Sequence, residues 1–154
     1  MSHSSPLVSA DLIWEIARKQ NAYLVKRNTQ GGLRFSCDPL NLTNTHSRKH
    51  AGFVNEKAVG IVPGEKGGVT LITKKQGSAQ KPSASTKTTF SKSSRKTYKS
   101  VANHVAKSGY RGDLRAHAVA RASAIRKSQQ SVKESPAPKL RGGKAKKAAA
   151  ESEE

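Results

Sequence analysis

Acid is what this chain has least of. Its 154 residues hold 10 Asp and Glu against 29 Lys and Arg, a formal charge of +19 at pH 7. Such an imbalance speaks about partners rather than fold, and it makes nucleic acid and anionic membrane the first candidates, ahead of acidic protein surfaces. The scarce acids also leave little footing for a catalytic carboxylate pair, because four of them lie from Glu134 onward. Cysteine is nearly absent. Cys37 alone excludes an internal disulfide and a cysteine-based zinc finger. Aromatic residues make up 5% and apolar residues 34%, so the core is expected to be smaller than the length allows. The longest near-continuous apolar run, Ala58–Val62, is far too short to span a bilayer. The opening MSHSSPLVSADL has neither a basic nor an apolar region of a secretory signal. The expectation is a soluble, intracellular chain in a reducing compartment.

Motifs for chemistry are equally thin. There is no nucleophile elbow and no GxxxxGK[ST] phosphate loop. The stretch Gly64-Glu-Lys-Gly67-Gly68 resembles a nucleotide loop only superficially, because it joins two expected strands rather than a strand and a helix. His46 and His50 stand four residues apart, but no third ligand has suitable spacing, and Arg48 and Lys49 between them would repel a cation. Arg111-Gly112-Asp113 spells an integrin-binding tripeptide, yet it precedes a basic helix in a chain expected to be intracellular. No catalytic residue, metal or cofactor is expected, and the chain reads as a non-enzyme.

What is present falls into four segments. Residues 1–75 read as a small α+β domain with one helix and a mainly antiparallel sheet of at least four strands. Ser9 is the expected cap of a helix over Ala10–Gln20, with Leu12, Ile13, Ile16 and Ala17 on one face. Trp14 lies off that stripe, at a core edge or against a partner. Ala22–Asn28 and Leu33–Asp38 read as strands around a Gly31-Gly32 turn, and period-two alternation points Leu33, Phe35 and Cys37 toward the core. The polar stretch from Pro39 to Glu56 reads as a long loop that is functional or mobile. Ala58–Val62 and Val69–Lys75 then form a second hairpin.

Beyond Lys75 the composition changes. Residues 76–93 are Gly-, Ser-, Thr- and Lys-rich and read as an extended basic linker. Residues 94–130 read as two basic helices. In the first, Tyr98, Val101, Ala102 and Val105 share one face, with Ser94 placed to cap it and Gly109 to end it. In the second, Asp113 is the candidate cap and Leu114, Ala118, Ala122 and Ile125 form the stripe. At about 100° per residue, Arg115 and Arg126 flank that stripe on one side and Arg121 on the other. From Gln76 to Lys133 the chain carries 13 Lys and Arg against the single acid Asp113. Residues 131–154 read as a disordered Lys-, Ala- and Pro-rich tail with an acidic end. The slim stripes predict helices that dock and order only on a partner.

Charge of this kind suits folded RNA, whose phosphates release counterions when neutralised and whose irregular surface admits an extended cationic segment. The candidate contacts are Arg48 and Lys49 in the polar loop, and Lys74 and Lys75 at the end of the last strand. Lys81, Lys87 and Lys92 follow in the linker. Arg95, Lys96, Lys99, Lys107, Arg111, Arg115, Arg121, Arg126 and Lys127 complete the set on or beside the helices. A membrane fits less well, because the helices offer Ala and Val rather than Trp, Phe and Leu for insertion.

Five blocks carry a family likeness. Ser9-Ala-Asp-Leu-Ile-Trp14 with Tyr23-Leu-Val-Lys-Arg-Asn28 is the first. The others are Asp38-Pro-Leu-Asn-Leu42, Lys57-Ala-Val-Gly60, Tyr110-Arg-Gly-Asp-Leu-Arg115 and Arg121-Ala-Ser-Ala-Ile125. In this order they resemble the eukaryotic large-subunit ribosomal protein family L-twenty-eight-e. The resemblance implies a structural constituent of the cytosolic large subunit, bound to ribosomal RNA and neighbouring ribosomal proteins, passing through the nucleolus during assembly. It implies no membrane, small-molecule substrate, cofactor or homo-oligomer. Gly112 stands where many relatives are expected to carry proline. The alternatives are a nucleolar large-subunit assembly factor with a related domain, and a chromatin-type linker protein suggested by the KAKKAAA tail. The first is expected to be longer and richer in cysteine, and the second needs a three-helix winged domain in place of the strands.

Overall fold

A computed structural model describes residues 8–29, 31–65, 67–75, 81, 83–135, 139, 141–145 and 150. The class is α+β, as the sequence implies. Ser9 caps α1 (Ala10–Ala17), its side chain accepting the Leu12 N–H, and Asp11 sits in the first turn where the helix dipole favours it. A short antiparallel hairpin follows, β1 (Leu24–Lys26) with β2 (Arg34–Ser36). The polar loop then leads into β3 (Val59–Pro63), β4 (Val69–Lys74) and β5 (Ser85–Phe90), which pair antiparallel in that order. Helix α2 (Ser94–Ala102) runs into a π-helical turn at Asn103–Lys107, a 3-10 turn at Gly112–Leu114 follows, and α3 (Arg115–Ser128) closes the fold.

Among the described residues, the expected sheet of four or more strands is two sheets, of two and three strands. The third strand of the larger one, β5, lies inside the stretch expected to be linker. Ser-Thr-Lys-Thr-Thr-Phe has too little apolar content to announce a buried strand. Its β-branched threonines, however, suit a pleated edge once β4 offers a ladder of Val69↔Phe90 to Lys74↔Ser85. Residues 76–80 and 82 of that expected linker lie outside the described residues, as does part of the expected tail.

The core also corrects the division at residue 75. Val59, Ile61, Val69 and Leu71 point from one face of β3 and β4 and are almost wholly buried. They meet Val101 and Val105 of the α2 segment and Leu114, Ala118 and Ala122 at α3. Both helical stripes are therefore half of one core with the sheet. They do not wait for a partner to give them a surface. Alanine is what makes this possible. Ala118 and Ala122 are fully buried, and their small side chains let the α3 backbone approach the sheet closely. Tyr110 pins the join, its hydroxyl accepting the Ala58 N–H and donating to the Lys74 carbonyl at 2.9 Å. Gln129 does the same at the far end, where its side-chain amide exchanges two hydrogen bonds with the Gly68 backbone.

The long polar loop is an ordered scaffold. Asp38, only 3% exposed, accepts the Leu40 and Phe53 N–H groups, each at 2.9 Å. Asn41 donates to the Thr45 carbonyl and Asn55 to the Ala51 carbonyl. The loop also crosses the edge of β3: Leu42 joins the core, while a Cβ at Gly60 would collide with the Pro39 carbonyl and Leu40 on the opposite face. Glycine is required there by space.

The first hairpin inverts the expected facing. Period two was legible, but Ser36 and Asp38 are the buried positions, and Leu33, Phe35 and Cys37 are exposed. The reason is the loop: Ser36 and Asp38 are turned inward to hold its backbone, with Asp38 N–H donating to the Ser36 hydroxyl. Trp14 is half-buried, its ring 5.0 Å from that of His46. Asp113 does not cap α3 but lies in the preceding 3-10 turn, and α2 starts after Ser93 rather than being capped by Ser94. Gly109 ends the π-helical turn with φ of 64°, the left-handed conformation that glycine adopts without strain.

Two core changes test this packing. Ala118→Leu should overfill the helix–sheet contact and cost about 1–3 kcal/mol, and Leu71→Ala should cost about 2–5 kcal/mol, read from urea unfolding. Ala120→Leu, on the exposed side of α3, should stay within about 0.5 kcal/mol.

Candidate nucleic-acid interface

The sixteen cations singled out from the sequence divide into two structural groups. Eleven are exposed: Lys49, Lys75, Lys81, Lys87, Lys92, Arg95, Lys96, Lys99, Lys107, Arg115 and Lys127. The other five, Arg48, Lys74, Arg111, Arg121 and Arg126, are half-buried, and four of these are spent on the protein itself.

Arg111 is the clearest case. Its guanidinium grips Asp113 with two bonds of 2.8 Å and reaches the Lys57 carbonyl at 2.8 Å and the Lys49 carbonyl at 3.2 Å. The hydrogen bond from Arg111 is the main reason that the Asp113 carboxyl is held below its usual range. Arg48 bonds Asp11 at 2.9 Å and Asn55. Arg121 donates to Asn44 Oδ1 at 3.2 Å. Lys74 donates to the Asn55 carbonyl at 2.9 Å, and burial pulls its pKa down. These side chains fasten the polar loop to α1, the sheet and α3. Arg126 Nε is buried without a hydrogen-bond partner.

The exposed group follows the helices and β5. In α2, Thr97 and Val101 face inward, and Thr97 donates its hydroxyl proton to the Lys92 carbonyl. At about 100° per residue, Arg95, Lys96 and Lys99 fall on the opposite half. Lys107 ends the π-helical turn, beside an open cavity of about 300 Å³ lined by Asn103, His104, Lys107 and Ser108. Lys87 stands on β5, opposite Ile72 and away from the core face. Of the three arginines flanking the α3 stripe, Arg115 alone is exposed.

Their placement violates a local rule. Arg95 and Lys96 occupy the first turn of α2, which carries no acid and whose N-cap side chain makes no capping bond; Arg115 instead follows directly on the 3-10 turn that holds Asp113. Cations at helix N-termini oppose the macrodipole, each at a cost of about 0.3–1 kcal/mol. Stability does not account for them, and an external anion would.

Among the described residues, the histidines do not converge as metal ligands. His46 Nε2 lies 2.8 Å from the Arg18 carbonyl, and His50 packs edge-on against His117 with ring centroids 5.1 Å apart. Among the described residues no group of three or more His, Cys, Asp or Glu side chains is placed to hold a metal. Cations that the sequence reading passed over include Lys26 and Arg34, which stand directly opposite each other in the first hairpin.

Residues 12–128 match the Ribosomal L28e protein family. The large ribosomal subunit protein eL28 of Schizosaccharomyces pombe is 44% identical over 129 residues, covering 82% of this chain and 96% of the relative. That of Dictyostelium discoideum is 32% identical over 136 residues, covering 87% and 98%. A Trypanosoma cruzi relative of the same name is 42% identical over 71 residues, 46% of this chain and 45% of its own.

His50 gives the scaffold a pH dependence. Burial, then His117, Lys49 and Arg111, lower its pKa from the ordinary 6.5, with Asp113 opposing. Below 6.5 the unfolded chain therefore binds a proton that the folded chain still refuses, so stability is lost as pH falls through the folded value. Urea midpoints should drop between about pH 7.5 and 5.5, and His50→Gln should flatten that drop.

Proposed function

The chain belongs to the Ribosomal L28e protein family, and from this we propose that it is a structural constituent of the cytosolic large ribosomal subunit, incorporated during nucleolar assembly. In this reading it binds ribosomal RNA phosphates through its exposed lysines and arginines, stabilises the folded RNA, and meets neighbouring ribosomal proteins as a single copy. It performs no catalysis. The observation that carries the RNA-binding part is the pair of first-turn cations, Arg95 and Lys96, on α2, whose N-terminus has neither a side-chain cap nor an acid. Phosphate is the ligand such an end favours, because unsatisfied N–H groups, helix dipole and side-chain charge all attract it.

The division of labour follows from the geometry. Lys87, Lys92, Arg95, Lys96, Lys99, Lys107, Arg115 and Lys127 are free to reach phosphate. Arg48, Lys74, Arg111 and Arg121 hold the polar loop in place, and removing them acts on folding first. Each free cation that reaches a phosphate releases condensed counterion, so affinity falls steeply with salt.

Two measurements check this. Replacing Lys96, Lys99 and Lys107 together with Gln should flatten the logarithmic salt slope of binding to large-subunit RNA by about 2–3 units, at about 0.7–0.9 for each phosphate no longer neutralised, while leaving the urea midpoint nearly unchanged. In low-salt gradients the protein should travel with the large-subunit peak. Fractionation with chromatin instead would overturn the assignment.

A further inference from the structure

All but one of the large apolar side chains left exposed among the described residues lie between Val8 and Phe35; the exception is Val132. A soluble monomer seldom gathers its exposed apolar residues in one part of the chain without a use for them. The first hairpin shows how four of them are arranged. Val25 and Phe35 are cross-strand partners, each 40% exposed. Tyr23 and Leu33 lie two residues away along β1 and β2, so the pleat brings them to the same face. The Arg27 N–H donates to the Leu33 carbonyl, which puts Arg27 at the end of that face. The result is a flat, exposed surface with two aromatic rings, two aliphatic side chains and a guanidinium.

Charge tells what covers it. From Arg18 to Cys37 there are five cations and no acid. On the other face of the hairpin, Lys26 stands directly opposite Arg34, a like-charge pair that destabilises a two-stranded ribbon. No acid lies within ion-pair distance of Lys26, Arg27 or Arg34 among the described residues. A purely apolar partner would bury Val25 and Leu33 but leave that repulsion in place. An unpaired nucleic-acid strand answers both features, because its bases stack on aromatic faces and its phosphates neutralise the cations.

We propose that the β1–β2 hairpin is a second RNA contact, separate from the helical cations, which takes an unpaired segment of ribosomal RNA. Bases stack on Phe35 and on the open side of Tyr23, whose other side meets Phe53 at 5.8 Å. Val25 lies across from Phe35, and Leu33 extends the apolar surface beyond Phe35 toward Arg27. Arg27 holds the backbone on the stacking face, and Lys26 and Arg34 hold it where it passes around the ribbon. The proposal rests on the RNA-binding reading above, but it assigns a different chemistry: stacking, which salt hardly weakens, in addition to phosphate pairing, which salt weakens steeply.

The test uses the full chain, an oligouridylate and a blunt RNA duplex, titrated over a range of salt. Phe35→Leu keeps the apolar area and removes the ring; it should weaken oligouridylate binding roughly five- to hundredfold with the salt slope unchanged. Phe35→Trp should bind as well as wild type or better. Lys26→Gln should flatten the oligouridylate slope, and duplex binding should be unmoved by either Phe35 variant. If wild type binds both RNAs and Phe35→Leu binds oligouridylate equally well, the hairpin proposal is overturned, and the apolar face belongs to a protein partner. If wild type binds neither RNA, the broader reading fails, and the hairpin proposal fails with it.

Discussion

The fold depends on the close approach of α3 to the β3–β4 face, and that approach depends on alanine. A chain with 34% apolar residues and a charge of +19 has little with which to offset conformational entropy and self-repulsion. Its answer is to concentrate nearly all of its large buried side chains at one layer contact. Val59, Ile61, Val69 and Leu71 supply the sheet side, and Val101, Val105 and Leu114 the helical side. Each such burial contributes about 1.5–3 kcal/mol, provided that nothing holds the layers apart. Ala118 and Ala122 meet that condition. Once the contact forms, Arg95, Lys96 and Lys99 of α2 and Arg115 and Lys127 of α3 remain exposed, while Arg121 and Arg126 are half-buried.

The same contact explains why some cations serve the protein and others do not. The polar loop from Pro39 to Glu56 must cross the sheet edge to deliver Leu42 to the core, and its backbone would otherwise go unsatisfied. Arg111, Arg121 and Lys74 reach into it and bond its carbonyl or amide oxygens, and Arg48, which lies within it, bonds Asp11 and Asn55. Their charge is partly spent, and their loss would loosen the scaffold. Among the described residues, the side chains of the exposed cations make no such bonds. Arg95 and Lys96 stand at the N-terminus of α2, where the helix dipole opposes them, while Lys99, Lys107 and Lys127 stand in last helical turns, where it favours them.

Much of this was legible in the sequence, for identifiable reasons. The stripes Val101–Val105 and Leu114–Ala118–Ala122 follow helical periodicity, and Ser9 and Gly109 act at the helix ends as their chemistry suggests. β5 was hidden because Ser85–Phe90 is mostly Ser, Thr and Lys, a composition shared by strands and linkers until β4 supplies a partner. The facing of β2 was hidden because alternation gives a period, not a sign. The sign came from Asp38, whose carboxylate is drawn inward by the distant Phe53 N–H. For the candidate contacts, cation identity was readable but role was not. Arg111 meets the Lys57 carbonyl across 54 positions and Arg121 meets Asn44 across 77, and no local spacing encodes those pairs.

The central claim is that two kinds of cation share this fold, one facing the RNA and one holding the scaffold. Lysine reactivity distinguishes them most directly. An amine-modifying reagent, applied to the free protein and to assembled large subunits and read by mass spectrometry, should modify Lys87, Lys96, Lys99 and Lys107 in the free chain and spare them in the subunit. Lys74 should resist in both states, because its ammonium is half-buried and bonded to the Asn55 carbonyl. If Lys96, Lys99 and Lys107 stay reactive in the assembled subunit, or Lys74 reacts freely in the isolated protein, the account is contradicted.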